Sequence, residues 1–281
     1  ALITIYEGID RSGGNFSTSR ARGISGQANI LGSFFTSYMF LFLGFFLTFP
    51  RHRVLGWLPL LGFLLSGRGI MYTFSRGAYL GLAAGGLTAC WFRKKLLFLA
   101  AVAFGVLAIA NPALLPAGVR YRMEMTVKDA GRSETLLPLQ PDAAQHLELS
   151  VSARFEMWRG AVRMIHAHPW WGVGYRMSQR FIAHYTEGRL SSMNAHNTFL
   201  LIAAELGLPA LAAFLALLGV GVGYAIWLHR HTQDRLLRAI ALGVVAGVAG
   251  MAVANQFTVC LRSTEVAGYL WILCGLMVRA V

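Results

Sequence analysis

The chain has 281 residues, of which 56% are hydrophobic and only 13% are charged, and its formal net charge is +13. Soluble domains carry about 25% charged residues, so the composition excludes an ordinary water-soluble protein and favours a helical membrane protein that crosses the bilayer several times. The positive balance requires no nucleic-acid partner, because much of it lies in short connections between apolar stretches.

The residues ahead of the first complete apolar stretch are expected to form an outward-facing segment, 1–29. Ala1–Glu7 is apolar in the manner of the end of a preceding helix. We therefore expect the chain to begin inside a truncated N-terminal helix, with further helices ahead of Ile30 in the whole protein.

Seven apolar stretches are predicted to cross the bilayer as helices, four within residues 30–111 and three within residues 198–281. The predicted spans are Ile30–Phe49, Val54–Tyr72, Gly77–Phe92, Leu96–Asn111, Thr198–Leu228, Leu237–Val259 and Val266–Val278. Glycines at small-residue spacing predict close packing between helices. These are Gly81 with Gly85, Gly243 with Gly247, and the run Gly219, Gly221 and Gly223.

Short basic connections predict the orientation of these spans. Arg51–Arg53, Arg93–Lys95 and His229–Arg238 fall on alternate ends of the spans and so lie on one side, which we expect to be cytoplasmic. The long segment 112–197 and the Ser75–Gly77 turn then face the outside.

The segment 112–197 is too long to be a simple connector. Its first half is marked by Pro138 and Pro141, and its second half predicts an amphipathic helix with Ser152 as N-cap, ending near His168–Pro169. Apolar and basic residues are interleaved along that helix, namely Phe155, Trp158, Val162 and Ile165 with Arg154, Arg159 and Arg163. Such a helix is expected to lie along the outer membrane surface, and a glycine turn follows it at 172–174.

His196 stands just ahead of the apolar run that begins at Thr198. An ionisable group at a membrane boundary is a functional hypothesis, and an imidazole with an ordinary pKa near 6.5 can accept a proton near neutral pH. The alternative is a histidine that merely anchors the helix at the interface.

Arg76 and Arg68 are predicted at or near the outer headgroup level. An arginine at that depth costs a few kcal/mol unless it meets an anion or water, and its guanidinium matches phosphate oxygens in pairs. Together with His196 these residues favour glycosyl transfer from a polyprenyl diphosphate, although each arginine could also be a lipid anchor. We expect no metal and no cofactor, because His166, His168 and His184 have no carboxylate or cysteine at ligand spacing.

Several patches resemble the O-antigen ligase/polymerase family of bacterial membrane glycosyltransferases, over about residues 22–225. They are Thr73–Tyr79, Arg154–Trp158, His168–Gly174, Ala195–Phe199 and Glu205–Pro209. The resemblance implies an all-α, polytopic transmembrane helical bundle, GT-C-like, with a long periplasmic loop containing amphipathic helices. It also implies transfer of a glycan, without metal and with inversion, from undecaprenyl diphosphate to lipid A-core, another glycan or a protein at the periplasmic face of the inner membrane.

The same resemblance assigns roles to individual residues. His196 matches the family's periplasmic histidine, which activates the acceptor hydroxyl, and Arg76 and Arg154 match the arginines that hold the donor diphosphate. Asn197 is expected to orient His196 or the acceptor. Two further substrate-binding candidates are Arg68 and, by a looser match, Arg22.

One function from another class stays open, which is a transporter or flippase of a polyprenyl-linked glycan that performs no chemistry. It would need the arginines but not His196 and Asn197. Within the enzyme class, ligase, polymerase and protein-directed transferase are not separated by the sequence.

Overall fold

The computed structural model describes residues 2, 4, 20–23, 26–50, 54–116, 118–124, 151–190 and 192–281. In these residues the regular structure is helical throughout, and no strand occurs. Two compact units are present. The first comprises Ala1–Arg120, Leu218–Ala254 and Cys260–Val281, and the second comprises Tyr121–Leu217 and Asn255–Val259.

The α-helices with defined bounds are numbered in chain order. They are α1 (Ala28–Thr48), α2 (Leu58–Thr73), α3 (Arg76–Arg93), α4 (Lys95–Ala110), α5 (Val151–Ala167), α6 (Ser178–Tyr185), α7 (Thr198–Leu206), α8 (Leu208–His231), α9 (Arg235–Ala254) and α10 (Thr264–Arg279). Short 3-10 turns occur at Val54–Trp57, Pro112–Leu114 and Cys260–Arg262.

Every predicted span contains a helix, and the all-helical class is confirmed. Within the described ranges, α1, α8 and α9 are long and apolar enough to cross a membrane, and α4 is a shorter apolar helix. The 16-residue helices α2, α4 and α10 reach roughly 24 Å at 1.5 Å per residue. They are therefore shorter than a typical hydrocarbon core.

The first unit is built on α1, which packs against α9, α2 and α3. Glycines permit this close approach: a Cβ on Gly247 would lie 2.1 Å from the Ser37 carbonyl oxygen, and one on Gly81 would lie 2.6 Å from that of Gly250. The predicted packing role of the Gly81/Gly85 and Gly243/Gly247 pairs is therefore confirmed. For Gly219 and Gly223 the prediction is wrong, since no described atom lies within 4 Å of an added Cβ, whereas Gly221 does pack closely, against Cys274.

Two predicted spans have different ends in the structure. Thr198–Leu228 is not one helix, because the chain takes a positive φ of 89° at Gly207 and separates α7 from α8. The span predicted to reach Val259 ends at Ala254, and residues 255–259 leave the helix and belong to the second unit. Their polar groups bond to the start of α7, and this pairing replaces the missing turns of helix.

The second unit packs α5 against α6 and α7. Its core contains Met157, Ala161, Met164, Ile182, Leu190, Met193, Ala195 and Ala204. The helix predicted in the second half of the segment 112–197 is present and ends at Ala167, as expected before His168–Pro169. Most of the first half of that segment, with Pro138 and Pro141, lies outside the described residues, as do Arg51–Arg53 and most of Ala1–Glu7.

Besides the predicted apolar set, this helix has a second set of apolar residues, which is buried within the second unit. Phe155 is 56% exposed and Val162 is 40% exposed, whereas Met157 and Met164 are fully buried. Met157 and Met164 pack with residues of α6 and α7, and Trp158 and Ile165 of the predicted apolar set pack against the same core. Ser152 lies inside α5 and is not its N-cap.

Candidate active site

His196 sits in a tight turn immediately before α7. Its φ is 44°, in the left-handed region, and its backbone N–H donates to Oδ1 of Asn194 at 2.9 Å. A non-glycine residue in this conformation costs free energy and persists where its surroundings hold it. The polar side chains on either side of His196 supply that support.

Asn197 is the N-cap of α7. Its Oδ1 accepts hydrogen bonds from the backbone N–H groups of Phe199 at 2.9 Å and Leu200 at 3.1 Å, which the first turn of a helix would otherwise leave unpaired. Its Nδ2 donates to Oε1 of Gln256 at 3.0 Å, and the residue is buried. Both ends of the amide are engaged, so Asn197 joins the start of α7 to the segment after α9.

Thr198 ties the same turn to the segment after α9. Its backbone N–H donates to the Asn255 carbonyl at 2.9 Å, and its hydroxyl donates to Oδ1 of Asn255 at 2.6 Å. The Thr198 hydroxyl oxygen also lies 3.0 Å from the carbonyl oxygen of Thr258. Asn255 is fully buried, and burying an amide is favourable only when it is hydrogen-bonded.

Helix α5 contacts the turn at His196 through Trp158. The Trp158 indole N–H donates to the Ala195 carbonyl at 2.9 Å, and the Trp158 ring lies 6.3 Å, between centroids, from that of Phe257. Ala195 itself is part of the buried core of the second unit. The residue before His196 is therefore fixed by packing as well as by a hydrogen bond.

The imidazole of His196 is partly buried, and its pKa is lowered from 6.5 to about 4. Burial is the larger cause, because it disfavours the charged imidazolium, and the nearby Arg154 guanidinium adds repulsion. His196 is therefore neutral at pH 7, with a proton-accepting nitrogen. The structure brings His196, Asn197 and Arg154 together in the second unit.

The other two arginines of α5 engage carboxylates. Nη1 of Arg159 lies 3.5 Å from Glu156, and Nη1 of Arg163 lies 3.4 Å from Glu187 while donating to the Tyr185 carbonyl at 2.8 Å. The Arg163–Glu187 pair is largely exposed and contributes little to stability, whereas the Glu156 side chain is only 5% exposed. Of the three arginines on α5, Arg154 is the one that acts on the His196 pKa.

The family patch His168–Gly174 contacts the end of α7 and the start of the patch Glu205–Pro209. The Val173 N–H donates to the Ala204 carbonyl at 2.8 Å, and the Gly174 N–H donates to that of Glu205 at 3.0 Å. At Gly207 a Cβ would lie 2.2 Å from the Trp170 carbonyl oxygen. The turn after α5 therefore packs directly on the break between α7 and α8.

Glu205 forms a buried hydrogen bond within the second unit. It is buried, and its Oε1 accepts a hydrogen bond of 2.6 Å from the Ser178 hydroxyl. This bond joins the last turn of α7 to the first residue of α6.

Arg76, Arg68 and Arg22 lie in the first unit. Arg76 is the first residue of α3 and follows Phe74, which has a left-handed backbone conformation. Arg22 is exposed, and the residue before it is attached to the end of α2 by a 3.0 Å hydrogen bond from the Ala21 N–H to the Tyr72 carbonyl. Arg68 is exposed on α2, where its guanidinium lies over the Tyr72 ring at 4.8 Å.

The polar residues that hydrogen-bond to the start of α7 and to the end of α2 were not identified from the sequence. Asn255 and Gln256 interrupt an apolar stretch, and an amide pair inside a predicted span was a usable signal. Arg20 was also missed: its Nε donates to the Thr73 carbonyl at 2.8 Å and its Nη2 to Oδ1 of Asn29 at 2.6 Å. In the described ranges, no three His, Cys, Asp or Glu residues come together in a way that could hold a metal.

Comparison with known families gives one result. The model of the O-antigen ligase family matches residues 61–215, which is more than half of the chain and includes Arg68, Arg76, Arg154, His196 and Asn197 but not Arg22. A search of curated proteins finds no match. On the strength of this match, together with its helical architecture, the chain belongs to the O-antigen ligase family.

Proposed function

We propose that this protein is a glycosyltransferase that moves a glycan from an undecaprenyl-diphosphate donor to an acceptor hydroxyl at the periplasmic face of the bacterial inner membrane. The observation that carries the proposal is the partly buried imidazole of His196, close enough to the Arg154 guanidinium for its charge to lower the His196 pKa. Family membership and the apolar helices α1, α8 and α9 support the same conclusion. The acceptor is a hydroxyl of lipid A-core, of another glycan or of a protein.

In the proposed reaction His196 is the general base. Its imidazole nitrogen takes the proton of the acceptor hydroxyl as that oxygen forms a bond to the anomeric carbon of the donor glycan. The bond from that carbon to the diphosphate oxygen breaks, and undecaprenyl diphosphate leaves with the electron pair. Attack opposite the leaving group inverts the configuration at the anomeric carbon.

The positive charge for the leaving diphosphate is proposed to come from arginine. Guanidinium groups bind phosphate oxygens in a fork and keep their charge at every physiological pH. We assign this role to Arg154 and Arg76, with Arg68 and Arg22 as further donor-binding candidates. In this account the reaction needs no metal ion.

The low pKa of His196 fits a base that is switched on by its substrate. A pKa of about 4 keeps the imidazole neutral but makes it a weak base. A diphosphate bound beside Arg154 would offset the guanidinium charge and raise the pKa of His196. The bound donor would thereby increase the basicity of His196.

A transport function is the competing class, and one experiment separates the two. The purified protein in detergent solution, where there are no two sides of a membrane, is mixed with an undecaprenyl-diphosphate-linked glycan and lipid A-core, glycan or protein acceptors. We expect a new glycosidic bond and release of undecaprenyl diphosphate, with and without a metal chelator. Tight donor binding with no product for any acceptor class would favour a transporter.

A further inference from the structure

A cleft of about 410 Å³ lies in the first unit, on the side that we expect to be cytoplasmic. It is formed where α1, α3 and α8 end and α9 begins, and its basic side chains come from three of these helices. The arginines that line it are Arg93, Arg230, Arg235 and Arg238. Four guanidinium groups around one cleft repel each other unless an anion lies between them.

The described residues provide no such anion. Within those ranges, none of the four arginines forms an ion pair with a carboxylate. Asp234 is the acid nearest along the chain, and its Oδ1 accepts hydrogen bonds from the Leu236 N–H at 2.7 Å and the Leu237 N–H at 3.3 Å at the start of α9. The Asp234 carboxylate is therefore hydrogen-bonded to the first turn of α9 and, among the described residues, forms no ion pair with a cleft arginine.

One of the arginines is partly buried. Nη2 of Arg238 donates to the Thr232 carbonyl, whereas its Nε is buried and has no hydrogen-bond partner among the described residues. An unsatisfied donor on a buried charged group is costly. A ligand with acceptor oxygens would remove that cost.

Thr48 and His229 also line the cleft, and the rest of its wall is apolar. Leu47, Phe92 and Leu242 contribute to it, and the Arg230 guanidinium lies 5.9 Å from the centre of the Phe92 ring. The helices that end or begin here include α1, α8 and α9, which are long enough to cross a membrane. Cationic groups beside an apolar wall at the end of such helices match the headgroup region of a bilayer.

We propose that this cleft is a binding site for a phosphate group, supplied by an anionic phospholipid or by soluble phosphate. Guanidinium groups match phosphate oxygens in charge and geometry, and the apolar wall would accommodate the start of an acyl chain. The site is separate from the proposed glycosyl transfer and does not depend on it. If the arginines only set the orientation of the helices, no specific binding would occur here.

The test compares two variants of equal charge. The double variant Arg93→Gln/Arg235→Gln removes two exposed cleft arginines, and Lys94→Gln/Arg279→Gln removes two exposed basic residues outside it. Native mass spectrometry of the purified protein counts bound phosphatidylglycerol against phosphatidylcholine, and separate titrations use inorganic phosphate. Thermal unfolding checks that each variant is folded. If a double variant is not folded, the single variants Arg93→Gln and Lys94→Gln are compared in place of the two double variants.

We expect the cleft variant to bind phosphatidylglycerol roughly tenfold more weakly than the wild type, and the control variant to bind it as the wild type does. Binding of inorganic phosphate with the same variant pattern, but without lipid selectivity, would identify a soluble phosphate as the ligand. Equal losses in both variants, or no binding of either probe by the wild type, would overturn the proposal.

Discussion

The indole N–H of Trp158 donates to the carbonyl of Ala195 at 2.9 Å, and this bond links α5 to the residue before His196. Arg154 lies about one turn earlier on the same helix. A single contact thus helps to set the separation between the guanidinium and the imidazole. The low pKa of His196 depends on that separation as well as on burial.

Trp158→Phe keeps an aromatic ring but removes the donor, and it leaves the Ala195 carbonyl without this partner. We expect kcat/KM to fall by roughly tenfold, in line with the cost of an unsatisfied buried acceptor. The His196 pKa should also move, which a purely structural effect on protein yield would not produce. Trp171→Phe is the control, because Trp171 is 87% exposed; equal effects in both variants would contradict the positioning role.

Gly207→Ala should strongly destabilise the second unit. The residue has a φ of 89°, and an added Cβ would lie 2.2 Å from the Trp170 carbonyl oxygen. Strain and clash together should cost more than about 1 kcal/mol, measured as a lower unfolding temperature of the detergent-solubilised protein. Gly219→Ala in α8 meets no described atom within 4 Å and should be tolerated or mildly stabilising. A tolerated Gly207→Ala would mean that the turn after α5 does not pack on the α7–α8 break as described.

The sequence predicted the helical class and the family because these depend on composition and on local patterns. Apolar runs locate helices wherever they pack, and the end of α5 follows from the proline after His168. The buried face of α5 was not predictable in the same way. Met157 and Met164 are buried only because α6 and α7 supply a fitting surface, and that surface is a tertiary property.

The candidate site likewise has features that local sequence motifs predict and features that depend on tertiary structure. His196 and Arg154 were identified from motifs, but their mutual influence and the lowered pKa depend on burial, which the sequence does not contain. The pairing of Thr198 with Asn255 joins residues far apart in the chain. Such long-range polar contacts have no local periodicity to reveal them.

Arg154→Ala and Arg76→Ala should each weaken use of the polyprenyl-diphosphate donor, seen as a higher donor KM in the reconstituted reaction. Lysine should rescue poorly, because it offers a point charge in place of a planar fork. Arg159→Ala is the matched control on α5, since the Arg159 side chain is 71% exposed and pairs with Glu156. Unchanged donor KM in both test variants would reduce these arginines to structural or lipid contacts.

The lowered pKa of His196 predicts an unusual pH profile. The base must be neutral, so activity should be lost as pH falls through its pKa, which is about 4 in the free protein. The acid limb of kcat/KM for the donor should therefore lie well below pH 6. Bound diphosphate raises the pKa, so the acid limb of kcat should lie at higher pH than that of kcat/KM. Two coincident limbs near pH 6.5 would show that neither burial nor Arg154 acts on the base.

The most direct test of the account is the reconstituted transfer rate of His196→Ala and His196→Gln, measured beside donor affinity. Neither side chain can take the acceptor proton, so both rates should fall by roughly 10²–10⁴-fold while donor affinity stays within a few-fold of the wild type. His166→Ala, an exposed histidine on α5, is the control and should retain full activity. A His196→Ala protein that transfers glycan at the wild-type rate would contradict the general-base role and favour the transporter.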